Sequence, residues 1–152
     1  MDLILWRHAE AEDGEPDESR ALTPKGLRQA SRVAHWLDRN LPNSCRILAS
    51  PTVRTVQTAK ALGRKFKIQA ELAPDTDPQR ILAAINWPDG REPVLIVGHQ
   101  PSLGQTAAFL LTGNAQDWTI RKGCVWWITH RQRDGSIETY LKTVMAPDLV
   151  AK

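Results

Sequence analysis

The apolar runs of this chain are short, and each is followed by a signal that starts a helix. This alternation constrains the fold more than any other feature. Residues 2–6, 46–49 and 93–97 are strand-sized and apolar. Thr23-Pro24, Ser50-Pro51 and Asp77-Pro78 each pair a capping side chain with a proline suited to the first helical position, and Pro101 follows the third run. After Thr23-Pro24, Leu27, Ala30, Ala34, Leu37 and Leu41 recur at helical spacing, predicting a helix that ends near Pro42. Ser50-Pro51 predicts a helix reaching about Phe66, with Val53, Val56, Ala59 and Leu62 inward. Asp77-Pro78 predicts a short helix to about Ile85, and Pro101 one with Leu103, Ala107, Leu110 and Leu111 inward. Residues 124–130 and 136–144 flank Asp134-Gly135 and read as an antiparallel hairpin. Strands alternating with helices predict an α/β fold, a mostly parallel sheet covered on both faces, which the late hairpin makes mixed.

The 152 residues, 41% hydrophobic and 24% charged, suit one globular domain spanning 1–152. No apolar run approaches the roughly 20 residues of a membrane helix. The start, Met-Asp-Leu-Ile-Leu, lacks the basic region of a signal peptide, so a cytoplasmic protein is expected. Cys45 and Cys124 are too few for a disulfide scaffold or a zinc site and are expected as buried thiols. Net charge is 20 − 17 = +3, spread evenly: residues 1–76 carry 12 basic and 10 acidic groups, residues 77–152 carry 8 and 7. That balance argues against nucleic acid as a partner. The local exception is an acidic stretch of Glu10, Glu12, Asp13, Glu15, Asp17 and Glu18. It reads either as a solvated loop or as a filter that favours a basic protein surface.

In open α/β sheets, ligands bind at the carboxyl ends of strands. There the chain carries Arg7 and His8 after the first run, Arg54 just beyond the second, and His99 after the third. Two arginines match phosphate oxygens with bidentate forks, a neutral imidazole is a nucleophile near pH 7, and a second imidazole can donate where charge develops. This set suits phosphoryl transfer. A metal site built on His8, Glu10 and Glu12 is disfavoured by the adjacent arginine.

The motifs also resemble a known family. Leu5-Trp6-Arg7-His8-Ala9, Leu22-Thr23-Pro24-Lys25-Gly26-Leu27-Arg28-Gln29-Ala30, Ser50-Pro51-x-x-Arg54-x-x-Gln57-Thr58-Ala59 and Val97-Gly98-His99-Gln100-Pro101 resemble, in order, elements of the histidine phosphatase superfamily. Their short span and the Ala9-Glu10-Ala11 continuation are most similar to SixA-type phosphohistidine phosphatases. The resemblance implies a phosphoglycerate-mutase-like α/β/α sandwich and a nucleophilic His8 that becomes transiently phosphorylated. It implies Arg7, Arg54 and His99 as the rest of the phosphate pocket, with no metal or cofactor. The implied partner is a phosphorylated signalling protein, such as a histidine-containing phosphotransfer domain, or a small phosphorylated compound. A phosphomonoesterase or mutase, or a non-catalytic phosphate-binding adaptor, are the alternatives. Two departures stand out. Ala9 replaces the frequent glycine, so its φ should be negative. Pro74 stands where larger members carry a general acid, leaving Glu71, Asp75, Asp77 or none in that role.

Overall fold

Strands that read as apolar on both sides belong in a sheet covered on both faces. The computed structural model, which describes residues 1–151, shows this arrangement. Its elements run β1 (Asp2–Arg7), α1 (Pro24–Asn40), β2 (Arg46–Ala49), α2 (Val53–Lys60), β3 (Lys67–Ile68), α3 (Pro78–Ala84), β4 (Val94–Gly98), α4 (Ser102–Thr112), β5 (Val125–Arg133) and β6 (Ser136–Met145). The sheet order is β3-β2-β4-β1-β5-β6. The first four strands of the sequence are parallel, while β5 runs antiparallel to β1 and pairs with β6. Asp134 and Gly135 both take positive φ, 47° and 81°, as a tight hairpin turn requires.

The two-residue period of the strands splits the core. Ile4, Trp6, Ile47, Ala49, Leu95 and Val97 face one side, where Val33, Ala34 and Leu37 of α1 and Ala59 of α2 cover them. Leu3, Leu5, Leu48, Val94 and Ile96 face the other, against Ile81 and Leu82 of α3 and Leu103 and Ala107 of α4. The result is a three-layer α/β/α sandwich. Trp126 and Trp127 point to opposite faces, and only Trp127 is fully buried. Both cysteines are free and buried. Among the described residues no helix is long and apolar enough to cross a membrane.

Several local expectations need correction. The second helix is capped by Thr52, whose side chain accepts from the Thr55 amide, and not by Ser50. It stops at Lys60, well short of Phe66, and Gly63 at φ +72° turns the chain away. Beyond that turn, Arg64 reaches across to the end of α1, donating to the carbonyls of Asp38, Leu41 and Pro42 and pairing with Asp38, so its charge meets a helix C-terminus. Leu27 is 50% exposed, because the buried face of α1 runs through Gly26, Ala30, Val33, Ala34 and Leu37. Val53 is also exposed, because α2 turns Arg54, Thr55 and Thr58 inward. Residues 67–76 supply the short edge strand β3.

The sheet order sets the site. β4 lies between β1 and β2, and the three strands end level: Arg7 pairs with Gly98, and Ala49 with Val97. The next residues along, His8, His99 and Ser50, therefore meet at one edge. The His8 amide donates to the Gly98 carbonyl at 3.1 Å and the Ser50 amide to Val97 at 3.1 Å. Helices α2 and α4 begin just beyond this edge, placing their positive ends beside it.

Candidate active site

His8 and His99 are 7% and 3% exposed, with ring centroids 5.3 Å apart. His8 Nδ1 lies 2.7 Å from the Ala9 carbonyl oxygen. A carbonyl can only accept, so the proton sits on Nδ1, and the Nε2 lone pair has no hydrogen-bond partner among the described residues. Burial pushes the pKa of His8 down to about 4; the Ala9 carbonyl opposes that shift, and Arg54, Arg7 and Lys122 add to it. At neutral pH the ring is thus an uncharged imidazole, the form that attacks phosphorus. His99 is pushed to about 3 by burial and then by its neighbours His8 and Arg54. Its Nε2 lies 2.8 Å from Ser50 Oγ, a group that can donate or accept.

The two arginines flank this pair. Arg7 donates from Nη1 to the Ile120 carbonyl at 3.0 Å. Arg54, 4% exposed, donates from Nη1 to the Asp17 carbonyl at 2.8 Å and from Nη2 to Asp17 Oδ2 at 3.0 Å. The Nε–H of each arginine is buried and has no partner among the described residues. Buried donors are nearly always satisfied, and a buried guanidinium is costly without an anion. Two spare buried donors, one on half-buried Arg7 and one on buried Arg54, beside a neutral imidazole fit a tetrahedral oxyanion such as phosphate. The structure thus brings Arg7, His8, Arg54 and His99 together at one sheet edge.

The segment after His8 is tied down at several points. Ala9 keeps its φ out of the positive range and is fully buried, packing with Leu22 and Ala30. Its amide donates to Thr58 Oγ1 at 3.2 Å, and Thr58 donates on to the Arg54 carbonyl. Gln29 accepts from the Glu10 amide and Gln57 from the Leu22 amide. A Cβ on Gly26 would overlap the Glu10 carbonyl oxygen, so only glycine lets α1 approach this segment. Thr23 caps α1 through the Gly26 amide and donates to Glu10 Oε2 at 2.7 Å.

The acidic stretch is only partly a solvated loop. Glu12, Asp13, Glu15 and Glu18 are exposed, but Asp17 is a specific partner of Arg54 and Arg20. Hydrogen bonds from Arg20 first and Arg54 second hold the Asp17 carboxyl below its usual range, so it stays ionised. Asp17, Ser50 and Thr58 entered the sequence reading only as acidic-stretch or motif residues, without these contacts, and Lys122 did not enter it. Thr52, Thr55 and Thr58 recur every three residues beside Arg54, and that spacing was the available signal for a buried polar helix face.

None of the three alternative acids joins the pocket through a hydrogen bond or ion pair among the described residues. Glu71 accepts from Gln69, Asp75 is exposed, and Asp77 caps α3 through the Arg80 amide. Among the described residues no three His, Cys, Asp or Glu side chains gather as metal ligands.

Residues 3–77 match the profile of the histidine phosphatase superfamily (branch 1). The phosphohistidine phosphatase SixA homolog of Haemophilus influenzae is 31% identical over 126 residues, covering 72% of this chain and 77% of its own. Phosphohistidine phosphatase SixA of Escherichia coli K12 is 29% identical over 122 residues, covering 74% and 76%. A solved structure of the protein histidine phosphatase SixA complexed with tungstate matches with a TM-score of 0.78 at 25% identity, over 97% of this chain and 98% of that one. The chain belongs to the histidine phosphatase superfamily.

Proposed function

We propose that the protein is a metal-independent phosphatase working through a phosphohistidine on His8. The proposed substrate is phosphohistidine in another protein, such as a histidine-containing phosphotransfer domain. The observation that carries this reading is the fixed tautomer of His8, neutral and protonated on Nδ1, beside two arginines with spare buried donors. In the first step His8 Nε2 bonds to phosphorus while the P–N bond to the substrate breaks. The electron pair leaves with the substrate imidazole, whose other nitrogen already holds a proton. Water then attacks the phosphoryl group, releasing phosphate and restoring neutral His8. Arg7 and Arg54 neutralise the equatorial oxygens, and His99 donates as charge builds on them.

Phosphohistidine suits the pocket better than a phosphate ester. An alkoxide needs a proton to leave, an effect of ~10²–10⁴-fold in rate. The carboxylate bound to Arg54 is Asp17, and its two arginines hold it ionised. Relatives acting on phosphohistidine and a neighbour complexed with tungstate, a tetrahedral oxyanion, support the same reading. The test is kcat/KM on a phosphohistidine peptide and phosphorylated imidazole against phosphoserine and 3-phosphoglycerate. The P–N substrates should lead by about 10²-fold or more. Equal or better turnover of the esters would overturn the assignment.

A further inference from the structure

Beside the pocket lies a groove of about 810 Å³, which the acidic segment touches only through Glu10. Its cations are Arg7 at the pocket end, Lys25, Arg28 and Arg32 along α1, and Arg121 and Lys122 on the opposite wall. Lining carboxylates are Glu10, which accepts a hydrogen bond from Thr23, and Asp148. The groove's balance is 6 − 2 = +4, whereas the rest of the chain carries 20 − 6 = 14 basic and 17 − 2 = 15 acidic groups, net −1. The whole positive excess of the protein is gathered in this groove. Among the described residues none of these six cations takes part in an ion pair. Like charges left together unpaired repel one another, and an anionic ligand relieves that repulsion.

The opposite wall is fixed to the catalytic strand. The Gly123 amide donates to the carbonyls of both Arg7 and His8 at 3.1 Å, and the Arg7 amide donates to the Cys124 carbonyl. Lys122 is close enough for its charge to act on His8. Arg7, the neighbour of His8, lines one end of the groove, which leaves a path between α1 and residues 119–122 for a chain that flanks a phosphoryl group at His8.

We propose that this groove binds an acidic polypeptide segment flanking the phosphorylated residue of the substrate protein, and so selects substrates by charge. The proposal rests on the phosphatase reading above. Lys25 and Arg32 stand seven positions apart, about 10 Å of helix, which matches three or so residues of extended chain. That length exceeds a single phosphate. Among the described residues no aromatic side chain lines the groove to stack a base, which favours a polypeptide over a polynucleotide. The surface recruiting the partner is thus basic and its partner acidic, the reverse of what the acidic segment alone suggests.

The test compares wild type with Arg28→Glu/Arg32→Glu on phosphohistidine peptides with acidic or neutral flanks, and on phosphorylated imidazole. Arg28 lies on an exposed helix face and Arg32 is half-buried; neither is in the catalytic pocket. The variant should raise KM for the acidic peptide about tenfold or more, with kcat and the other two substrates changed less than about twofold. Added salt should produce the same loss in wild type and little further loss in the variant. Arg121→Glu, on the other wall, should repeat the pattern. Equal effects on acidic and neutral peptides, or none on either, would overturn the proposal, and unchanged turnover of phosphorylated imidazole shows that the variant is folded. An oligonucleotide of equal charge that competes as well as an unphosphorylated acidic peptide would also overturn it. If wild type turns over none of the substrates, the phosphatase reading fails. The groove is then judged by fluorescence anisotropy of the unphosphorylated acidic peptide, whose binding should be lost in the variant.

Discussion

His8 and His99 occupy matching positions, each just past the end of a parallel strand, on neighbouring strands that end level. Both are buried and both are held neutral. They differ in the partner of one ring nitrogen. His8 faces a backbone carbonyl, which fixes a single tautomer and leaves Nε2 as a lone pair. His99 faces the Ser50 hydroxyl, which accommodates either a proton or a lone pair on Nε2. A fixed tautomer suits a nucleophile, which needs the same atom bare in every turnover. A neutral ring whose tautomer is left open suits a group that presents a proton where negative charge arrives. On the proposed reading, one shared scaffold supports two roles through one hydrogen bond each.

Substitution of each ring separates these roles. His99→Ala should keep the phosphorylated intermediate yet lower kcat by about 10²–10³-fold, the usual loss on removing one donor from a transition state. Rapid-quench kinetics on phosphorylated imidazole measure this, and a loss below tenfold would deny His99 that role. Ser50→Ala should have a smaller effect, about tenfold in kcat/KM, because it leaves His99 Nε2 buried without a partner. Its signature is a changed pH profile for His99 with the tautomer of His8 untouched, read by ¹⁵N chemical shifts of the imidazoles.

The mildest effect is on pH dependence. His8 at about 4 is neutral well below its ordinary value, so the acid limb of kcat/KM should fall near pH 4 rather than near 6.5. For stability, both folded values lie below the unfolded value. The unfolded chain then binds more protons as pH falls through 6.5, and stability declines from there towards about pH 3. His99→Gln should flatten part of that decline in urea titrations between pH 7 and 4. A decline of unchanged size would contradict the depressed pKa.

The same comparison shows what a chain reveals before it is folded. The alternation of apolar runs with capped helices was enough to expect the sandwich, its hairpin, and the edge where Arg7, His8, Arg54 and His99 meet. These features follow from local periodicity and from the rule placing ligands at strand ends. The partners that tune them are long-range: Asp17 lies 37 residues from Arg54, Ser50 lies 49 from His99, and Thr58 lies 49 from Ala9. No local pattern specifies such contacts. The apolar stripe expected of the second helix holds at Ala59 and Leu62 but fails at Val53 for a related reason. That helix faces a polar site, so Thr55 and Thr58 are buried there while Val53 is not. The groove was hidden because its cations come from segments almost 90 residues apart in an otherwise balanced sequence.

The most direct test of phosphohistidine chemistry is intact mass spectrometry after rapid, acid-free quenching with a phosphohistidine peptide, comparing wild type with His8→Ala. Wild type should gain the mass of one phosphoryl group, transient, labile in acid and absent from the variant. Turnover that persists in His8→Ala, or an adduct that survives the loss of His8, would contradict the proposed role of this residue.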